Sequence, residues 1–157
     1  MSCAMFVLVV GAGRVGAAVA TTALRAGHTV SVLDEDPLSH ERLDVEVGQA
    51  WEVAGGRFTI GTALEMDALQ EAGIGEADVF IASTNGDNTN LVVSQLARLR
   101  FEVPKVIARI LDPRRAAWYA EQGLHTVCPT AIAIDQLERA ALGDGEPAVG
   151  RSGEEGA

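Results

Sequence analysis

Three glycines, Gly11, Gly13 and Gly16, stand at the spacing G-x-G-x-x-G in "VLVVGAGRVG". An apolar run leads into them and an alanine-rich, helix-like stretch follows. A loop of this kind holds phosphate. Gly11 permits the tight turn, Gly13 lets a pyrophosphate approach the backbone, and Gly16 lets the helix pack close to the strand. The amides of Arg14 and Val15 then point at the anion, and the helix dipole favours its charge. Asp34 closes a second apolar run, "TVSVLD", where a carboxylate accepts hydrogen bonds from both ribose hydroxyls. The same carboxylate repels a 2′-phosphate, so NAD or an adenine nucleotide is expected in preference to NADP. Glu35 follows Asp34 and joins the candidate set. The competing reading of the glycines is a turn that only packs a βαβ unit.

Further candidates surround this motif. Arg14, between the glycines, is either a solvated arginine at a helix start or a cation that reaches over a bound phosphate. The loop "ASTNGDNTN" carries short polar side chains, with Ser83, Thr84 and Asn85 placed to meet a ribose or phosphate. It also suits helix capping, with Asp87 or Asn88 as the N-cap. Thr62 and Ala63, in "GTA", either frame an adenine edge or make a plain turn with Thr62 as the N-cap. Arg109 is a charge within the apolar run "VIARI". Burying it unpaired is costly, so it is expected to reach a phosphate or to pair with Asp112 or Asp87.

The elements that must position these residues alternate along the chain. Strands are expected at 6–10, 29–33, 58–60, 79–82, 106–110 and 125–128. Helices are expected at 14–26, 37–43, 65–72, 89–100, 113–122 and 131–142. Gly27, Gly73 and Gly123 sit where glycine ends a helix. Residues 44–57 fit no element. Strict alternation implies an α/β fold: a Rossmann-like, doubly wound, six-stranded parallel sheet with helices on both faces. The ligand site then lies where the strand order reverses, at the carboxyl ends of the strands. Residues 1–142 are expected to form one nucleotide-binding domain. Residues 143–157, rich in Gly and Glu, are expected to be a disordered acidic tail. In the last helix Ile134, Leu137 and Ala141 share one face. That stripe is either ordinary core or a contact with a second copy.

The composition excludes several functions. The chain has 157 residues and a net charge of −10, which disfavours nucleic acid as a partner. No apolar run is long enough to span a membrane, and the N-terminus lacks a signal-peptide pattern, so direct membrane insertion is not expected. Cys3 and Cys128 offer no disulfide framework or metal spacing; Cys128 is expected to pack as a small hydrophobe. His28, His40 and His125 are isolated and read as surface or loop residues. No nucleophile–base pair or convincing carboxylate pair is present, so neither catalysis nor a metal site is expected.

With these residues in hand, the sequence resembles the TrkA-N family, the N-terminal regulator-of-potassium-conductance (RCK) domains of the bacterial Trk and Ktr systems. The resemblance covers nearly all of residues 6–142. It rests on "GAGRVG", "VLDED", "EAGIGEADVFIASTNGDNTN", "VIARILDP" and "GLHTVCPT". It implies a regulatory subunit that binds NAD(H), ATP, ADP or AMP at the glycine loop and does no chemistry with it. It implies a homodimer or larger ring joined through the last helices. It implies a Trk- or Ktr-type membrane transporter as partner, and a cytoplasmic place at the inner face of the membrane through that partner. Asp34 takes the family's ribose acid, Arg14 its glycine-loop arginine and Arg109 its basic residue on the fifth strand. Departures are visible. Thr62 stands where an acid is common, Thr130 where some members hold a metal through glutamate, and residues 44–57 form a longer segment than usual. The second, C-terminal ligand domain of full-length members has no counterpart, so a single-domain member or a fragment is expected. The alternative reading is a cofactor-binding domain or fragment of an NAD-dependent oxidoreductase; a third is a nucleotide-binding domain of a proton-coupled exchanger.

Overall fold

A computed structural model describes residues 3–143. The chain alternates β1 (Phe6–Val10), α1 (Arg14–Arg25), β2 (Thr29–Asp34), α2 (Leu38–Val47), β3 (Arg57–Ile60), α3 (Met66–Glu71), β4 (Val79–Ala82), α4 (Asp87–Gln95), β5 (Lys105–Arg109), α5 (Pro113–Glu121), β6 (His125–Val127) and α6 (Pro129–Leu142). A 3₁₀ turn, Ile74–Glu76, precedes β4, and a π-helical segment, Leu96–Arg100, prolongs α4. The six strands form one parallel sheet in the order β3-β2-β1-β4-β5-β6. The order reverses between β1 and β4, which puts the switch point where the sequence places it.

Alternate residues of each strand feed two cores. Val7 and Val9 pack with Ala17, Ala20, Leu43 and Trp51 beneath α1 and α2. Leu8 and Val10 pack with Leu69, Phe80, Leu91 and Ala116 beneath α3, α4 and α5. Each large side chain fully buried here contributes about 1.5–3 kcal/mol from apolar transfer.

Several boundaries differ from the expectation, most by one or two residues. α2 runs on to Val47 and ends at Gly48, which has φ +83°; the exposed Val45 breaks the apolar periodicity that would have revealed its last turn. Residues 49–56, which fit no element, fold as turns around Trp51. That indole is fully buried, its backbone N–H donates to Asp44 Oδ1 (2.7 Å), and its Nε1–H donates to the Arg57 carbonyl (2.9 Å). α4 starts at Asp87 with Gly86 as its N-cap, so neither Asp87 nor Asn88 caps it. Likewise Glu65, not Thr62, precedes α3 as its N-cap, and the Thr62 hydroxyl accepts only from Leu64 N–H at 3.4 Å. The expected disordered tail, 143–157, lies outside the described residues beyond Gly143.

Candidate functional site

The β1–α1 loop is shaped by its glycines in three distinct ways. Gly11 has φ +93°, and a Cβ there would lie 2.7 Å from the Ser83 carbonyl and the Thr84 nitrogen. The loop therefore runs backbone against backbone with the start of the β4–α4 loop. A Cβ on Gly16 would overlap the Gly11 carbonyl, so this glycine lets α1 sit against the turn. Gly13 is different: φ is −69°, and a Cβ would meet nothing within 4 Å. Nothing in the protein's own packing demands glycine there; the space it keeps open faces outward. Gly13 is also the N-cap of α1 and supplies no side-chain cap, and no acid stands in the first turn. The first-turn amides of α1 are left for an outside acceptor, and the helix dipole adds to their pull on an anion.

The loop forms one wall of a cleft of about 610 Å³ at the switch point, within the range that takes a small-molecule ligand. Asp34, at the end of β2, forms the next wall. Its carboxylate is pinned: Oδ2 accepts from Ala12 N–H at 2.7 Å and Oδ1 from Asp36 N–H at 2.9 Å. Each oxygen keeps a lone pair for a hydroxyl donor. Arg42 of α2 donates from NH1 to the Ala12 carbonyl, which brings its guanidinium to the glycine loop beside Arg14. The cleft is therefore polarised. Two guanidinium groups stand at the glycine loop, and Asp34, Glu35 and Asp36 stand at the end of β2.

The third wall is the β4–α4 loop. Ser83 is buried, and its hydroxyl has no hydrogen-bond partner among the described residues. Thr84 is held by Asn90, which is 1 % exposed. Asn90 Oδ1 accepts from Thr84 N–H (2.9 Å) and Thr84 Oγ1 (2.7 Å). Its Nδ2 donates to the carbonyls of Thr84 (3.0 Å) and Arg109 (2.8 Å). All four bonding positions of the amide are used.

Of the expected site residues, Gly11, Gly13, Arg14, Asp34, Glu35, Thr62, Ala63, Ser83, Thr84 and Asn85 meet around this cleft. Val15 and Gly16 do not line it; Val15 turns its side chain outward. Arg109 does not line it either. It lies behind the loop and donates from NH1 to the Thr84 carbonyl at 3.2 Å. The pairings suggested for it are taken elsewhere. Asp87 accepts from the amides of Leu111 (2.7 Å) and Asp112 (3.0 Å), and Asp112 caps α5. Sequence reasoning missed Asp36, Ser39, Arg42 and Thr89, which also line the cleft. Ser39 and Arg42 stand three apart on one helical face; that spacing was the available signal. Cys128 does more than pack: its Sγ accepts from Ala131 N–H at 3.4 Å as the N-cap of α6. No helix among the described residues is long and apolar enough to cross a membrane.

Comparison with known proteins agrees with this architecture. Residues 7–130 match the family model described as the TrkA-N domain. The Trk system potassium uptake protein TrkA of Streptomyces coelicolor is 43 % identical over 141 residues, which is 90 % of this chain and 60 % of that protein. The chain spans about 60 % of the length of this and several other curated relatives and under a third of others. Among solved structures, the Shewanella denitrificans Kef CTD in its AMP-bound form superposes with a TM-score of 0.70 at 25 % identity. That match covers 87 % of this chain and 79 % of the other. GsuK, solved bound to ADP and bound to NAD, has the same fold, with a TM-score of 0.69 at 20 % identity over 86 % of this chain and 33 % and 23 % of those chains. A family match over most of the chain, an extended relative and the sheet order all agree: the chain belongs to the TrkA-N family.

Proposed function

We propose that this chain is a nucleotide-sensing regulatory part of a potassium uptake system. In this reading it takes NAD(H) or an adenine nucleotide in the switch-point cleft. It transforms neither, and it passes occupancy to a membrane transporter subunit at the inner face of the membrane. The observation that carries the reading is the opening at Gly13. A bound phosphate would account for glycine at a backbone position that any residue could adopt, over an uncapped helix N-terminus. In this arrangement Arg14, Val15 and Gly16 offer amides to phosphate, Arg14 and Arg42 add positive charge, and Asp34 accepts from ribose. Ser83 and Thr84 close the opposite side. The AMP held by the Kef domain supports the ligand class, and the Trk system relatives support the transport setting.

The reading includes a second copy of the chain. α6 has no buried residue: Ile134 is 46 % exposed and Leu137 70 %. Among the described residues nothing buries its apolar stripe, and in this reading a symmetric partner covers it. Pairing two clefts through α6 would let ligand exchange move one subunit against the other.

Calorimetric titration of the purified chain with NAD, NADH, ATP, ADP and AMP tests the nucleotide assignment. At least one should bind, and Asp34→Ala should weaken it by about 1.5–3 kcal/mol, the worth of a charged hydrogen bond. Binding that ignores this substitution places the ligand elsewhere.

A further inference from the structure

We propose that Arg42, on α2, is a specificity-determining residue of the cleft: it takes a second phosphate, so the cleft prefers a nucleotide with two or more linked phosphates to a nucleoside monophosphate. The inference rests on the nucleotide reading above and narrows it. Donors stand on both sides of Gly13. On the helix side are the first-turn amides of α1, the Arg14 side chain and the Ser83 hydroxyl. Ser83 is 4 % exposed and lines the cleft, and its Oγ has no partner among the described residues. That oxygen lies 3.2 Å from where a Cβ on Gly16 would stand, so it faces the first turn of α1. A buried hydroxyl without a partner is costly, and one that opens on a cleft marks a place for a ligand oxygen.

On the other side of Gly13 is Arg42. Its NH1 donates to the Ala12 carbonyl, while the Ala12 N–H donates to Asp34 Oδ2 at 2.7 Å. Ala12 is thus held from both ends, and Arg42 stands along the loop between Asp34 and the α1 amides. The path from Asp34 past Ala12 and Gly13 to those amides suits a ribose followed by a chain of phosphates. A monophosphate fills one point on that path. A linked pair gives Arg42 the phosphate beside the ribose and gives α1 the next one.

Charge and hydrogen-bonding capacity agree with this division. Neither Arg14 nor Arg42 forms an ion pair among the described residues, and no acid stands in the first turn of α1. The positive end of the cleft is therefore uncompensated until an anion arrives. A guanidinium carries five N–H donors in a fixed fork, and the bond to Ala12 uses one of them. The rest are left for phosphate oxygens, a pairing whose paired geometry a lysine cannot copy. Asp34, Glu35 and Asp36 line the far end of the cleft and repel phosphate there, which confines the ligand's charge to the loop. A phosphate held by Arg42 also ties α2 to the glycine loop.

The test is calorimetric titration of the full chain with AMP, ADP and NAD, read as the ratio of affinities. ADP or NAD should bind at least about tenfold more tightly than AMP. Arg42→Gln should cost that ligand at least about tenfold and AMP at most about threefold, so the ratio collapses. Arg42→Lys keeps the charge without the fork and should give a ratio between the two; it also serves if the glutamine variant folds poorly. Arg25→Gln is the control. Arg25 also links α1 to α2, by donating to the Glu46 carbonyl at 3.0 Å, but outside the cleft, so its loss should leave the ratio unchanged. AMP binding as tightly as ADP and NAD overturns this inference and leaves the nucleotide reading standing. An equal loss for all three ligands in Arg42→Gln, or a collapsed ratio in Arg25→Gln, overturns it too, because either result makes Arg42 a structural tie. Binding of none of the three to the wild-type chain overturns the nucleotide reading and this inference with it.

Discussion

Asn90 offers a sharp test of how the cleft is built. Asn90→Ala removes four hydrogen bonds at once, and their partners fare differently. The Thr84 carbonyl keeps Arg109 NH1 at 3.2 Å, and Thr84 Oγ1 can turn to the Gly86 carbonyl at 3.4 Å. The Thr84 N–H and the Arg109 carbonyl lose the partners that Asn90 provides. Leaving a buried backbone group unpaired costs about 1–3 kcal/mol. Two such groups, with some water entry, give roughly 2–4 kcal/mol. For a chain of this size that lowers the thermal midpoint by roughly 4–16 °C. Urea unfolding should show a lower midpoint with an unchanged slope, since the exposed surface is the same. Asn90→Asp is the control. It keeps both acceptors toward Thr84 but turns a carboxylate oxygen on the carbonyls of Thr84 and Arg109, so it should lose at least as much. A midpoint within about 2 °C of wild type for either variant would refute the assigned network.

The remaining predictions separate packing from binding. Gly13→Val should leave the thermal midpoint close to wild type, because its Cβ enters open space, yet weaken nucleotide binding at least roughly tenfold; retained affinity would remove the phosphate from the glycine loop. Gly16→Ala should do the reverse, costing about 3 kcal/mol in urea unfolding because α1 must lift from the Gly11 carbonyl; an unchanged midpoint would mean that the helix is not seated as described. Leu137→Glu should convert a dimer to a monomer in light scattering without lowering stability, since this side chain touches no core; a wild-type chain that is already monomeric at micromolar concentration would sink the α6 interface.

Legibility followed the range of the interactions. β1, α1 and β2 were readable because an apolar run, a glycine motif and a closing acid are all local signals. The turn expected at Gly11 and the close helix packing expected at Gly16 are both present, and the φ of +93° at Gly11 and the overlap at Gly16 supply the physical reason. Residues 44–57 were not readable because Trp51 organises them from inside the core, through contacts that no local pattern encodes. Asp87 looked like a cap because it opens a helix. It instead bonds to Leu111 and Asp112, which lie far along the chain. Arg42 was missed for the same reason: its target, the Ala12 carbonyl, comes near only when α2 folds over α1.

Those long-range bonds also bear on how a cleft could speak to α6. Thr84 lines the cleft and belongs to the loop that leads into α4. Asp87, at the first position of that helix, holds the Leu111 amide. The Leu111 carbonyl accepts from the Cys128 thiol at 3.6 Å, and the same sulfur accepts from Ala131 N–H at the start of α6. The route from ligand wall to exposed helix thus runs through two short loops and one cysteine, at the carboxyl ends of β4, β5 and β6. It skirts the apolar core, against which Cys128 packs, and runs mainly through loop hydrogen bonds. Contiguity alone does not make coupling; a path must also have two arrangements that the ligand favours unequally. The least constrained members here are the Ser83 hydroxyl, which has no partner among the described residues, and the weak sulfur contacts of Cys128. One lies at the cleft and the other at the root of α6. Under the proposed reading, these are the two points where a ligand's hydrogen bonds would alter the balance, and the stiff amide of Asn90 between them would carry the change as a unit.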